Sequence, residues 1–321
     1  MRSCICGIFL LTGITFSLFA KEPQVTFLPH WYASARFAGY FVAYERGFYL
    51  EEGIELSILP GGPEHPIQEA LQERQADFAT DLLLNGIQAR SNGVPLVNLA
   101  QMMQYSSDVI IAWRASNINE PSDLDGKTVS VWVESAPLPM SFFKKHGLAP
   151  REVRAFSANL FLRKGADAIW GNWYDEYDTV LNSGTDRQEL TLFFLDEKKQ
   201  LPADGIYCLE ETFRQKPKLC LAFARASIRG WKEAFKNPTA TLEVVLKYAR
   251  SANLQTTWSH QKWMLEQLQT VICPEGLEAD FGKLSKEGYR AANDFLARGT
   301  HISQPIAFED FYVNRTATQG E

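Results

Sequence analysis

The chain predicts an α/β protein of two lobes, each a mixed sheet covered by helices, joined by a two-strand hinge. Three features predict it. Extended apolar runs alternate with helix-period runs from Val25 to Leu209, as in mostly parallel sheets with helices on their faces. From Lys216 onward the pattern is helical throughout. A length of 321 residues suits two lobes.

The elements follow in order. Val25-Thr26-Phe27-Leu28 is an apolar strand. Phe37, Tyr40, Phe41 and Tyr44 then fall at i, i+3, i+4 and i+7, an aromatic helix face that Gly47 ends as a left-handed residue can. Ile54 to Leu59 alternates at strand period after Gly53. Pro60-Gly61-Gly62-Pro63 is a turn, and a helix runs from Pro66 to Arg74. Ala76 to Thr80 is a short strand, and Leu82 to Ser91 is a helix for which Thr80 or Asp81 is the expected cap. Val97 to Met103 and Ser107 to Trp113 are strands, the latter carrying the chain into a second lobe. There, helices at 139–146, 157–164 and 174–181 alternate with strands at 128–131, 153–156, 166–172 and 190–195. Residues 205–209 return the chain to the first lobe. The expected boundaries are 1–20 for a leader, 21–107 with 205–321 for lobe one, and 108–204 for lobe two. The hinge is expected at 104–113 and 195–207.

Composition narrows the function. Arg2, the apolar run Cys4–Phe19 and the small Ala20 make a secretory signal peptide, cleaved after Ala20, so the mature chain is expected in the periplasm. A net charge of −6 with scattered Lys and Arg gives no footprint for nucleic acid. Phosphate loop, nucleophile elbow and dinucleotide fingerprint are missing, and the five histidines are dispersed. No catalytic residue, metal or cofactor is therefore expected. Cys208, Cys220 and Cys273 remain after cleavage: either Cys208 and Cys220 form one bridge, or all are free thiols.

Residues 37–56, Phe-Ala-Gly-Tyr-Phe-Val-Ala-Tyr-Glu-Arg-Gly-Phe-Tyr through Gly53-Ile54-Glu55-Leu56, resemble the opening of periplasmic substrate-binding proteins of ABC importers. The resemblance is to the branch that carries thiamine pyrimidine precursors, within a superfamily for nitrate, sulfonates, taurine and riboflavin. Pro121 to Val131 is similar to that family's turn-and-strand element. Gly171 to Tyr177 resembles its Tyr-Asn-Glu-Tyr element, where a carboxylate helps bind the ring, with Asp175 at the Asn position. The resemblance implies a type II periplasmic-binding-protein fold that closes on a small ligand by its hinge. It also implies permease and ATPase partners, and a monomer is expected. The superfamily contains pyrimidine-precursor synthases that use a pyridoxal lysine, a histidine and a cysteine-rich motif. This chain has no cysteine cluster and no lysine between Glu22 and Lys127, so an enzyme is not expected. A sensory partner of a membrane receptor and a binder of nitrate- or sulfonate-type anions stay open.

The expected site lies at strand ends. Trp31 offers a ring face for stacking. Phe37, Gly39 and Tyr40 open the first helix, with Gly39 allowing close backbone approach. Thr80 and Asp81, then Gln104, end the next strands, and Ser135 follows the first strand of lobe two. Trp173, Tyr174, Glu176 and Tyr177 gather at a helix start, and Asp204 sits at the hinge, where the family has a position near ligand. Asp81, Glu176 and Asp204 are the carboxylates expected to face an aminopyrimidine. An anion would instead want helix N-termini and positive side chains.

Overall fold

Two five-stranded sheets carry the chain, each with helices on both faces. The computed structural model describes residues 24–132, 137–276 and 280–313. The expected leader and Ser135 lie outside the described residues.

The first sheet has strands β1 (Gln24–Leu28), β2 (Glu55–Ile58), β3 (Phe78–Leu82), β4 (Leu96–Gln101) and β10 (Asp204–Leu209), in the order β2-β1-β3-β10-β4. The second has β5 (Asp108–Trp113), β6 (Thr128–Trp132), β7 (Arg151–Ala155), β8 (Ala168–Asn172) and β9 (Leu190–Phe194), in the order β7-β6-β8-β5-β9. β10 runs antiparallel to β3 and β4, and β5 antiparallel to β8 and β9. Each sheet thus receives one reversed strand, and those two strands start at the crossings between sheets. β5 and β10 are buried along their whole length, as interior, doubly covered strands require, and so is the edge strand β4, which bridges to Tyr312 and Gly282 through Asn98 and Gln101. β7, Arg-Glu-Val-Arg-Ala, is an edge strand kept soluble by its charges.

The helices of the first half are α1 (Ala38–Glu45), α2 (Phe48–Glu51), α3 (Ile67–Gln72) and α4 (Leu83–Ser91). α5 (Pro137–Lys145), α6 (Asn159–Leu162) and α7 (Glu176–Asn182) belong to the second sheet. The C-terminal set is α8 (Glu210–Gln215), α9 (Pro217–Lys236), α10 (Pro238–Ser251), α11 (Trp258–Ile272), α12 (Lys286–Arg298) and α13 (Phe308–Phe311). α9 packs Phe223 against Phe78 at 4.3 Å between ring centroids, the centre of the first lobe's core.

Three details differ from expectation. β3 continues through Asp81 to Leu82, so Leu82 is the N-cap of α4 and no side chain caps it there. Asp81 instead accepts from the Leu82 N–H at 2.7 Å and from Asn85 Nδ2 at 3.1 Å. The helix expected from Tyr174 starts at Glu176. The crossings themselves are residues 102–107 and 195–203, shorter than expected because β5 and β10 are full members of the sheets.

Gln101 knits the crossings together. Its buried Nε2 lies 3.1, 3.0 and 3.0 Å from the carbonyls of Met103, Ala203 and Asp204, and its Oε1 accepts from Asn98 at 3.0 Å. Gly205 leaves room for this knot: a Cβ there would stand 2.6 Å from Asn98 Nδ2.

Candidate ligand-binding site

Because β5 and β10 are reversed, their first residues lie on the same edge as the last residues of the parallel strands. Asp108 and Asp204 therefore join His30 and Trp31 after β1, Trp132 at the end of β6, Asn172 at the end of β8, and Tyr174, Asp175 and Glu176 beyond it around one cavity of ≈ 60 Å³. This is where ligands bind in open α/β sheets. A wider hollow of ≈ 510 Å³ shares Trp31, Trp132, Asp175 and Glu176 with it and leads outward past α7 and α11.

Arg36 dominates the floor. It sits in a 3₁₀ turn, Ala35–Phe37, started by the Ser34 side chain, and donates to Asp204 through Nε at 2.8 Å and Nη2 at 2.7 Å. Burial disfavours both charges, yet the pair more than compensates: Asp204 is held below the usual carboxylate range and Arg36 is raised further. Arg36 also lies 5.7 Å from the ring centre of Tyr174, whose buried hydroxyl makes no hydrogen bond within the protein.

His30 is neutral. Burial, with Arg36 nearby, lowers it to about 3 against the pull of Asp204. Its 3.7 Å approach to Asp204 is thus a polar contact and not an ion pair. Thr80 Oγ1 accepts from the His30 backbone N–H at 3.0 Å and shares a hydrogen bond with Nδ1 at 2.8 Å. Nε2 stands beside the Asp204 carboxylate with no hydrogen bond within the protein.

Three further carboxyls, Asp108, Asp175 and Glu176, face the cavity from the second lobe. Asp108 accepts from Trp170 Nε1 at 2.7 Å and from Ser106, and burial raises its carboxyl. Glu176 folds back to accept from the Asn172 N–H at 2.6 Å. Gly171 permits the fold, since a Cβ there would stand 2.5 Å from that of Glu176. Burial and then the neighbouring Asp175 raise Glu176 to about 8, so it carries a proton at neutral pH and can both donate and accept. Trp31 and Trp132, one from each lobe, meet edge to face at 5.5 Å where cavity and hollow join.

Of the expected site residues, Trp31, Tyr174, Glu176 and Asp204 line the cavity. Thr80 stands one hydrogen bond behind it, through His30. Asp81 is buried and turned to α4. Phe37 and Tyr40 are core residues, and a Cβ on Gly39 would fall inside the Trp231 ring, so the close approach there is of α9 and not of a ligand. Gln104 donates to the carbonyls of Gln101 and Lys283, behind the crossing. Trp173 stacks on Tyr177 at 4.2 Å and donates to Gln267 at 3.0 Å, which turns both rings toward α11. Cys208, Cys220 and Cys273 are free thiols, the first two buried.

Arg36 and Asp108 were not expected as site residues, though each leaves a trace. Arg36 is a lone cation just before a buried aromatic helix, and Asp108 opens an otherwise apolar central strand.

Two sheets, two crossings and a polar cavity at the shared edge define a two-lobe solute-binding protein. A family profile described as NMT1/THI5 like matches residues 34–241, and the chain belongs to that family. The formylaminopyrimidine-binding protein of Halalkalibacterium halodurans is 24% identical over 301 residues, 89% of this chain and 88% of that one. The riboflavin-binding protein RibY of Chloroflexus aurantiacus is 21% identical over 309 residues, 92% and 87% of the two chains. The 4-amino-5-hydroxymethyl-2-methylpyrimidine phosphate synthase of Schizosaccharomyces pombe is 21% identical and covers 71% of this chain and 70% of its own. Among solved structures, the alkanesulfonate-binding protein SsuA of Xanthomonas axonopodis pv. citri, bound to MOPS, superposes with a TM-score of 0.67 at 14% identity, covering 92% of this chain and 99% of that one. No helix among the described residues is long and apolar enough to cross a membrane.

Proposed function

We propose that the protein is the extracytoplasmic solute-binding component of an ABC importer. It takes a small neutral or cationic heteroaromatic, with a thiamine pyrimidine precursor as the leading case, and hands it to a membrane permease and ATPase. The observation that carries this reading is the charge of the cavity. Three aspartates, Asp108, Asp175 and Asp204, face one guanidinium among the described lining residues beside the protonated Glu176, and that guanidinium is engaged by Asp204. A sulfonate or nitrate would bring a further negative charge with no free cation to meet it. A ring with N–H donors and a ring nitrogen meets Glu176 as donor and acceptor, the neutral His30 Nε2 and two tryptophan edges. The formylaminopyrimidine binder, alike over most of both chains, supports the same class. On this reading, binding and hinge closure make up the mechanism.

A second reading is favoured by the outer hollow. Its hydroxyl and amide lining, which includes Ser34, Ser157, Thr179, Asn182 and Gln255, suits the polar chain of a larger ring compound such as a flavin. RibY is a relative of nearly full length.

Thermal-shift measurements on residues 21–321 separate these. A ligand that binds only the folded state raises Tm by mass action. A shift with aminopyrimidine thiamine precursors alone is the expected result. A shift with riboflavin alone selects the second reading, and one confined to taurine or nitrate rejects both.

A further inference from the structure

α11 has two working faces. Gln261, Met264, Leu265 and Leu268 point into the first lobe, where Gln261 accepts from the Ala35 N–H at 2.6 Å and the others join the core. His260, Trp263 and Gln267 fall three and four residues apart on the other face and reach the second lobe. His260 bridges Asp178 at 2.7 Å and Asp175 at 3.2 Å. Trp263 packs with the second lobe's core at 6.1 Å from Trp173, whose indole N–H donates to Gln267 at 3.0 Å. These contacts cross the hollow that leads to the cavity, and Asp175 lines both spaces.

We infer that α11 is a clasp across the cleft and that His260 is its positioning residue, holding the lobes closed over a ligand while it carries a proton. The inference rests on the reading of the cleft as a site that closes, but it is tested without any ligand. The groups acting on His260 are the carboxylates of Asp175 and Asp178. Arg36, on the turn beside α11, is turned to Asp204, and Lys247 on α10 is paired with Glu45. Burial lowers the imidazole, but the two carboxylates outweigh it and raise it to about 9. Opening the cleft would separate His260 from both and return it toward its ordinary value of about 6.5. Closure is therefore fully favoured below about pH 6.5 and loses that support as pH rises toward 9. The closed-to-open ratio should fall by roughly tenfold or more across that window, since each unit of difference is a factor of ten.

Small-angle scattering of ligand-free residues 21–321 reads this directly. The wild-type radius of gyration should grow between pH 6.5 and 9.5. His260→Gln should be expanded already at pH 6.5 and change with pH by clearly less than the wild type, since only the buried Glu176 carboxyl still titrates in that cleft. His260→Arg, whose charge survives to higher pH, should stay compact throughout. Near-UV circular dichroism checks that each variant is folded, and a variant that fails this check is replaced by Asp178→Asn, which should reduce the pH response. A pH-independent wild type, or a His260→Gln that keeps the wild-type profile, overturns the proposal. Failure of the thermal-shift panel would not, because that measurement reads ligand class and this one reads closure.

Discussion

Arg36 and Asp204, 168 residues apart, form a bidentate ion pair that ties the entry to α1 to the point where the chain returns from the second sheet. The Asp204 main-chain carbonyl also accepts from the N–H groups of Met102 and Met103, at 2.9 and 3.0 Å. One residue thus anchors both crossings and the cavity floor.

Removing one partner of this pair should cost more than removing both. Arg36→Met strands a buried carboxylate, and Asp204→Asn strands a buried guanidinium; each should destabilise by about 3–5 kcal/mol. The double variant Arg36→Met/Asp204→Leu should recover a good part of that loss. Urea denaturation at pH 7 measures all three, and a double variant no more stable than the weaker single one would refute the coupling. Asp204 lies below its ordinary range in the folded state. Its stabilisation is therefore present above its unfolded value and lost as pH falls through the folded one.

Glu176 should act with the opposite sign. Its carboxyl is raised to about 8, so the folded state favours the protonated form. Its contribution is complete below an unfolded value of about 4.5 and is lost as pH rises through 8. Glu176→Gln cannot ionise and should flatten the wild-type decline in urea midpoint between pH 5 and pH 8.5. An unchanged slope in the variant would assign that decline to another group.

Gly39→Ala should lower stability without touching ligand affinity. α1 and α9 cross where Gly39 meets Trp231 and where Gly230 meets the Gly39 carbonyl, and a methyl group has no space at either glycine. Overpacking of this kind costs about 1–3 kcal/mol or more. A fall in Tm with an unchanged dissociation constant, measured for the ligand found in the thermal-shift panel, is the expected pair of results. A weakened affinity in a stable variant would return Gly39 to the site.

This glycine shows where the sequence was legible and where it was not. Periodicity placed a helix over Phe37 to Tyr44, found at Ala38–Glu45, and the strand after Gly53, because both depend on neighbours in sequence. What Gly39 makes room for depends on α9, nearly two hundred residues later, and no local pattern distinguishes a ring of the core from a ring of a ligand. The same limit separated Trp31 from Trp173. Both sit just beyond a strand at the ligand edge, but Trp173 is drawn away by Tyr177, Trp263 and Gln267. Arg36 escaped notice because its partner lies in the returning strand, and Asp108 because a reversed strand presents its first residue, and not its last, to the cavity. Elements and their order follow from short-range chemistry, whereas a cleft is assembled from residues that only tertiary packing brings together.

The two tryptophans after strands can therefore be separated by experiment. Trp31→Ala removes a ring from the cavity mouth, where it meets Trp132 and is partly exposed. Its loss should weaken ligand affinity about tenfold or more, as loss of an aromatic contact worth about 0.5–1.5 kcal/mol together with its buried area implies. Stability should change less than in Trp173→Ala, because Trp31 is partly exposed at the margin of the first lobe's core. Trp173→Ala removes a stacked pair, the bond to Gln267 and a contact of the α11 face. It should lower Tm clearly, by the several kcal/mol typical of a large aromatic lost from a packed site. Its effect on affinity should be smaller and should come through looser closure. Calorimetric titration and thermal melts on the same two variants give the comparison. If Trp173→Ala weakens binding more than Trp31→Ala while melting like the wild type, the ring that stacks on the ligand is Trp173, and the cavity between His30, Trp132 and Glu176 is not the principal site.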